Sequence, residues 1–186
     1  MNKIKRLSRF ITVVLYFSLG SILLSLAIAI FNTNGQLHFG EPKQMNVWLG
    51  LSIEGSWQTL AEQLTQAGFN AVLLLGVWQI IPLIIINCML IKLFKLYQRG
   101  LIFAEANIRC FQYIGWALIG QFIMVLFYPP ILTTIINTLH TDAGLPRSIG
   151  INDSDITMLL TGFIISVIAE VMRQGAEIQS EQELTI

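Results

Sequence analysis

The chain has 186 residues, 54% of them hydrophobic and only 12% charged, with a mean hydropathy of +0.68. An ordinary soluble domain is about 25% charged, so the composition argues against a soluble fold. Eleven Lys+Arg balance eleven Asp+Glu, which removes a basic nucleic-acid binder, and two cysteines, Cys88 and Cys110, are too few for a disulfide framework or a thiolate zinc cluster.

Four stretches can cross a hydrocarbon core of about 30 Å, which takes roughly 20 apolar residues. Residues 10–31 carry no charge. A second uncharged stretch, 63–91, turns apolar near Phe69 and predicts a span over 69–93, with a kink at Pro82 because proline removes a backbone donor. Gln79 and Asn87 flank it and can bond freed carbonyls or another helix. The third stretch, 110–141, is too long for one crossing, so Pro129-Pro130 is expected to end a span over 111–130, with a separate helix over 131–139. The fourth span, 154–172, starts in Asn152-Asp153-Ser154-Asp155, whose oxygens suit the free N–H groups and the positive dipole end of a helix N-terminus.

Basic residues near span ends stay in the cytoplasm. Lys3, Lys5, Arg6, Arg9, Lys92, Lys95, Arg99, Arg109 and Arg173 fall on one side, against Lys43 and Arg147 on the other. Both termini and the connection 94–110 are therefore expected in the cytoplasm, and 32–68 and 131–153 outside. Ala27-x-Ala29 after a basic start resembles a signal-peptide cleavage site, but the apolar run from Phe10 exceeds the roughly 7–15 residues of a signal core, so a retained span is expected. Both cysteines fall near the cytoplasmic side and are expected reduced.

The outer connection 32–68 has its own pattern. Val47, Leu49, Leu51 and Ile53 alternate with Trp48, Gly50 and Ser52, which predicts a short strand, and residues 145–151 offer a partner strand. After Ser56, the residues Trp57, Leu60, Ala61 and Leu64 recur at helical spacing. That amphipathic helix either lies in the headgroup region, with Trp57 at the interface, or packs on the outer ends of the second and third spans. In the first span Ser21, Ser25 and Ala29, spaced by four, permit close approach of another helix, within the chain or across a homodimer. The fold class is thus an all-α integral membrane protein, a single membrane domain over 1–186 with four transmembrane helices, cytoplasmic termini and a small extracytoplasmic cap of short strands plus one amphipathic helix.

Chemistry is mostly an absence. No His-Glu-x-x-His, Walker loop, Gly-x-Ser-x-Gly or Cys-x-x-Cys occurs, so no catalytic residue, metal or cofactor is expected. His38 and His140 fall in outer connections without a metal-ligand pattern. Gln79, Asn87, Gln121 and Asn137 either line a polar path or, more simply, pair helices. The sharper signal lies at the cytoplasmic edge, where Lys92, Lys95, Arg99 and Arg109 outnumber Glu105, while Glu170, Glu177, Glu181 and Glu183 outnumber Arg173. Gly100 is placed to end the second long helix, Phe103 to tuck inward, and the next helix to begin near Glu105. Glu170 is expected to pair with Arg173 or across to Lys92, Lys95, Arg99 or Arg109.

These two segments resemble the bacterial membrane family known as domain of unknown function 2975. The residues that carry the resemblance are Leu93-Phe94-Lys95-Leu96-Tyr97-x-x-Gly100-x-Ile102-Phe103-x-x-x-Asn107 and Ala169-Glu170-Val171-x-Arg173-x-Gly175-Ala176, followed by Glu181-x-Glu183-Leu184-Thr185-Ile186. Ala104 stands where the family usually has Thr or Ser, so the hydroxyl cap is missing, and Met172 replaces a bulky aromatic. The resemblance implies a small multi-pass protein of the bacterial inner membrane, and a helix-turn-helix regulator as its neighbour. The leading expectation is a non-enzymatic adaptor or regulator whose charged cytoplasmic face receives a soluble protein, with no direct contact to nucleic acid. Its expected partner-binding residues are Lys95, Arg99, Gly100, Phe103, Asn107, Arg109, Glu170, Arg173, Glu181 and Glu183. The runner-up is a small transporter or exporter using polar groups near Gln79, Pro82 and Asn87.

Overall fold

Apolar length decides the main elements. The structure, a computed structural model, describes residues 2–31, 36–39, 47–51, 53, 55–101, 104–140, 144–147 and 149–184, and of 2–4, 36–39, 47–50 and 179–184 the backbone alone. In chain order these form α1 (Asn2–Phe31), β1 (Gln36–Phe39), β2 (Val47–Gly50), α2 (Gln58–Gln66), α3 (Val77–Gln98), α4 (Glu105–Leu139) and α5 (Asp153–Leu184). A 3-10 turn, Gly55–Trp57, precedes α2, and a π turn, Val72–Gly76, leads into α3. Four helical stretches, Lys5–Phe31, Val72–Gln98, Glu105–Leu139 and Asp153–Ile178, are long and apolar enough to cross a membrane. Only 11% of the first is buried within the chain, against 33% of the third, so α1 offers most of its side chains to lipid.

The chain packs as two compact units. One comprises Met1–Gly20, Pro82–Gly120 and Thr157–Ile186, the other Ser21–Ile81 and Gln121–Ile156. In the second unit Trp57, Leu60, Leu64, Ala71, Leu75, Val125, Leu132, Ile136 and Leu145 form one buried cluster. The Trp57 ring lies 5.5 Å from that of Tyr128, which in turn lies 5.5 Å from Trp78. Trp57 is 1% exposed, so it does not sit at a headgroup interface; α2 turns its apolar stripe into the protein because the aromatic residues of α3 and α4 give that stripe more contact.

Three expectations change in this unit. The prolines do not end a helix, since α4 runs unbroken through Pro129 and Pro130. Pro129 leaves the carbonyl of Val125 without its helical donor, and the Trp57 indole N–H points at that oxygen from 3.5 Å. On the following turn Thr133 and Thr134 hydroxyls donate to the carbonyls of Pro129 and Pro130 at 3.0 and 2.7 Å. Second, residues 145–151 are not the partner of the 47–50 strand: β2 pairs antiparallel with β1, Leu37 opposite Leu49. Leu145 has both backbone groups taken, its N–H by Asn137 Oδ1 at 3.0 Å and its carbonyl by Asn137 Nδ2 at 2.8 Å. Gly150 backs so closely onto Ser56 that a Cβ there would stand 3.1 Å from the Ser56 carbonyl. Third, Asn137 is therefore a pin for the 144–147 segment and not the lining of a polar path.

Helix ends follow local chemistry. Asn70 caps the π turn through its side chain, accepting from the Leu73 N–H at 3.1 Å. Asn152 and Asp155 cap α5 reciprocally: the Asp155 carboxylate accepts the Asn152 N–H at 2.9 Å, and the Asn152 carbonyl accepts the Asp155 N–H at 3.0 Å. α2 ends at Gly68, φ +83°, with Phe69 N–H donating to the Leu64 carbonyl at 2.9 Å.

Candidate functional site

The charged segments belong to one unit, and its local geometry begins at the end of α3. Gly100 adopts φ +82°, Gly100 N–H donates to the Tyr97 carbonyl at 3.0 Å, and Leu101 N–H to the Leu96 carbonyl at 3.2 Å. This left-handed glycine cap satisfies two carbonyls that the helix end would leave free. Asn107, fully buried, reaches back from the first turn of α4 and donates to the Leu101 carbonyl at 2.6 Å. It therefore holds the turn between the helices and has no surface to offer a partner. Ala104 supplies only its carbonyl to the Asn107 N–H at 2.8 Å, so the α4 start is fixed by Asn107 in the absence of a hydroxyl cap.

Charges pair inside helices. Arg109 Nη2 meets Glu105 Oε1 at 2.5 Å, and Arg173 Nη2 meets Glu170 Oε1 at 2.7 Å, in both cases one turn apart and well exposed. Of the pairings expected for Glu170, the structure makes the one on its own helix. Lys95 extends its ammonium over the Tyr16 ring of α1, 5.2 Å from the centroid. Arg99 is exposed. Phe103 lies outside the described residues. Glu181 and Glu183 fall within α5, whose backbone alone is described there.

Other contacts in this unit carry no charge; Asn87 pairs with another helix as one of its two sequence readings had it, whereas Gln98, Thr12, Ser18, Gly115, Gly162 and Ser166 were not singled out. Gln98 Nε2 donates to Thr12 Oγ1 at 2.9 Å, and Asn87 Nδ2 to Ser18 Oγ at 3.0 Å, tying α3 to α1. Where α4 crosses α5, a Cβ on Gly115 would collide with Ser166 Oγ and stand 3.1 Å from the Gly162 carbonyl, and one on Gly162 would stand 3.1 Å from the Gly115 carbonyl. Such reciprocal backbone approach needs glycine on both sides. The spacing Gly162-x-x-x-Ser166 was the available signal. In the other unit, His140 stacks edge-on against Phe69 at 5.4 Å, and Ala29 is fully buried while Ser21 is exposed.

Four helices of spanning length, joined by polar interhelical pairs and close glycine contacts, define a multi-pass membrane protein in contact with the lipid bilayer. The chain belongs to the family described as Protein of unknown function (DUF2975), whose model matches residues 40–186. No curated protein and no solved structure matches it.

Proposed function

We propose that the chain is a non-enzymatic adaptor or regulator of the bacterial inner membrane. Both termini and the α3–α4 connection face the cytoplasm under the basic-residue rule, and the short strands β1 and β2 with α2 form a small outer cap. The surface that receives a soluble protein comprises Lys95, Arg99, Arg109, Glu170 and Arg173, with Glu181 and Glu183 at the end of α5. Gly100 and Asn107 shape the turn that presents it. One observation carries this reading: Arg109 and Arg173 each find their acid on their own helix, in exposed pairs that hold little energy and exchange readily for a partner's charges. The family resemblance suggests a small helix-turn-helix regulator as that partner. Capture of the regulator by the full chain should fail when Arg99 and Arg109 are reversed to Glu or residues 181–186 are removed; undiminished capture after both changes would refute the surface.

A second reading, a small transporter or exporter, draws support from the buried Asn87 Oδ1 and Gln121 Oε1, neither of which has a hydrogen-bond partner among the described residues. It expects flux in proteoliposomes that falls when Gln79 and Asn87 become Leu, and no flux at all would remove it.

A further inference from the structure

We infer that the contact line between the N-terminal half of α1 and the C-terminal half of α3 is a binding site for an anionic phospholipid. Two bonds fix this line: Gln98 Nε2 to Thr12 Oγ1, and the Lys95 ammonium over the Tyr16 ring. Ser8 and Thr12 are buried along it, the Thr12 hydroxyl donating to the Ser8 carbonyl at 2.7 Å. On α1, Lys5 and Arg9 stand at helical spacing from Ser8 and Thr12, with Arg6 beside them. On α3, Lys92, Lys95 and Arg99 follow one another at i, i+3 and i+7, so they share a face. The Thr12–Gln98 bond draws the two cationic stripes to the same end of the helix pair.

These six cations are exposed, and none takes part in an ion pair among the described residues. Neither 1–20 nor 82–101 contains an Asp or Glu. Like charges at such spacing repel, and a phosphate between them converts repulsion into charge-assisted hydrogen bonds. The choice of a lipid over a soluble anion rests on what adjoins the cations. On α3 the face that carries Lys92, Lys95 and Arg99 continues through Cys88 and Ile85, both exposed at i−4 and i−7 from Lys92, and on α1 Tyr16 is 48% exposed beside Lys95, an apolar surface continuous with the charged end. An anionic head on Arg9, Lys95 and Arg99, with acyl chains along Tyr16, Cys88 and Ile85, matches both halves of that surface, and basic sites between membrane helices commonly hold such headgroups.

The site shares Lys95 and Arg99 with the proposed protein-docking surface but needs no protein partner. Loss of lipid and loss of regulator capture are therefore separate results. The test uses the purified full chain in neutral detergent, scored by native mass spectrometry and thermal unfolding with phosphatidylglycerol, phosphatidylcholine or inorganic phosphate. Phosphatidylglycerol should stay bound and raise the unfolding midpoint, phosphatidylcholine should do neither, and phosphate should not displace the lipid. Arg9→Gln/Lys95→Gln/Arg99→Gln should weaken retention about tenfold or more, Arg9→Lys/Arg99→Lys should keep it, and Arg147→Gln should leave it unchanged. Should the triple variant fail to fold, the wild-type chain decides, since raising the salt must weaken phosphatidylglycerol binding while leaving phosphatidylcholine unaffected. Equal retention of the two lipids, displacement by phosphate, or full retention by the folded triple variant would overturn the site.

Discussion

Each of the two units is held together internally by a different force. The Trp57 unit has a continuous apolar core to which a segment outside the long helices contributes Trp57, Leu60 and Leu64, so close packing of large aromatic and aliphatic side chains stabilises it. The charged unit closes its helices through Gly115 on Gly162, Asn87 on Ser18 and Gln98 on Thr12. Where lipid tails are as apolar as leucine, burial brings little gain, and close packing and interhelical hydrogen bonds must serve instead. Large-to-small changes should therefore hurt the first unit, and small-to-large changes the second.

The largest effect is expected at Trp57. Trp57→Ala removes a fully buried aromatic residue and the indole over the Val125 carbonyl, and should cost about 3–5 kcal/mol in unfolding from bicelles. Trp57→Phe keeps the ring volume in part and should cost less. Were the alanine variant as stable as the parent, the Trp57 unit would not be a core.

At the α4–α5 crossing the sign of the volume change reverses. Gly162→Leu should destabilise by about 1–3 kcal/mol, because its Cβ already meets Ile119, Leu118 and the Gly115 carbonyl at 3.0–3.1 Å. Gly115→Ala collides first with the Ser166 hydroxyl, so adding Ser166→Gly should recover part of the loss, a coupling that a double-mutant cycle measures. Additive effects would mean that the two positions do not meet.

Asn87→Leu is expected to cost less, about 0.6 kcal/mol and at most about 2, the range for interhelical hydrogen bonds in lipid. The loss should disappear in a Ser18→Ala background, since the Asn87–Ser18 bond is then already absent.

What was legible in the sequence divides along the same line. Signals confined to a few residues read correctly: the Gly100 cap and the Asn152–Asp155 start of α5 follow from chemistry within one turn, and runs of apolar residues gave the number of helices able to cross a membrane, four, though not the length of the third. Signals that need a distant partner did not. Pro129-Pro130 reads as a helix end until Trp57, 68 residues before Val125, is seen to approach the orphaned carbonyl. Residues 145–151 read as a strand until Asn137 takes both backbone groups of Leu145. Among the charged residues, sequence could place cations and acids in neighbouring segments, but not choose between pairing within a helix and pairing across, since both satisfy the same charges.

The smallest stability effect is expected at those pairs. Arg173 and Glu170 lie one turn apart on α5, both more than 40% exposed, where solvent screens the attraction and ordering two long side chains offsets the rest. Arg173→Gln should therefore leave the unfolding midpoint unchanged within error, as should Glu105→Gln at the matching pair on α4. That neutrality separates docking from folding. Arg173→Gln should leave the protein intact and change only what binds to it, so a variant that loses both stability and partner capture would show that the pair holds α5 in place, and the surface would need to be sought elsewhere.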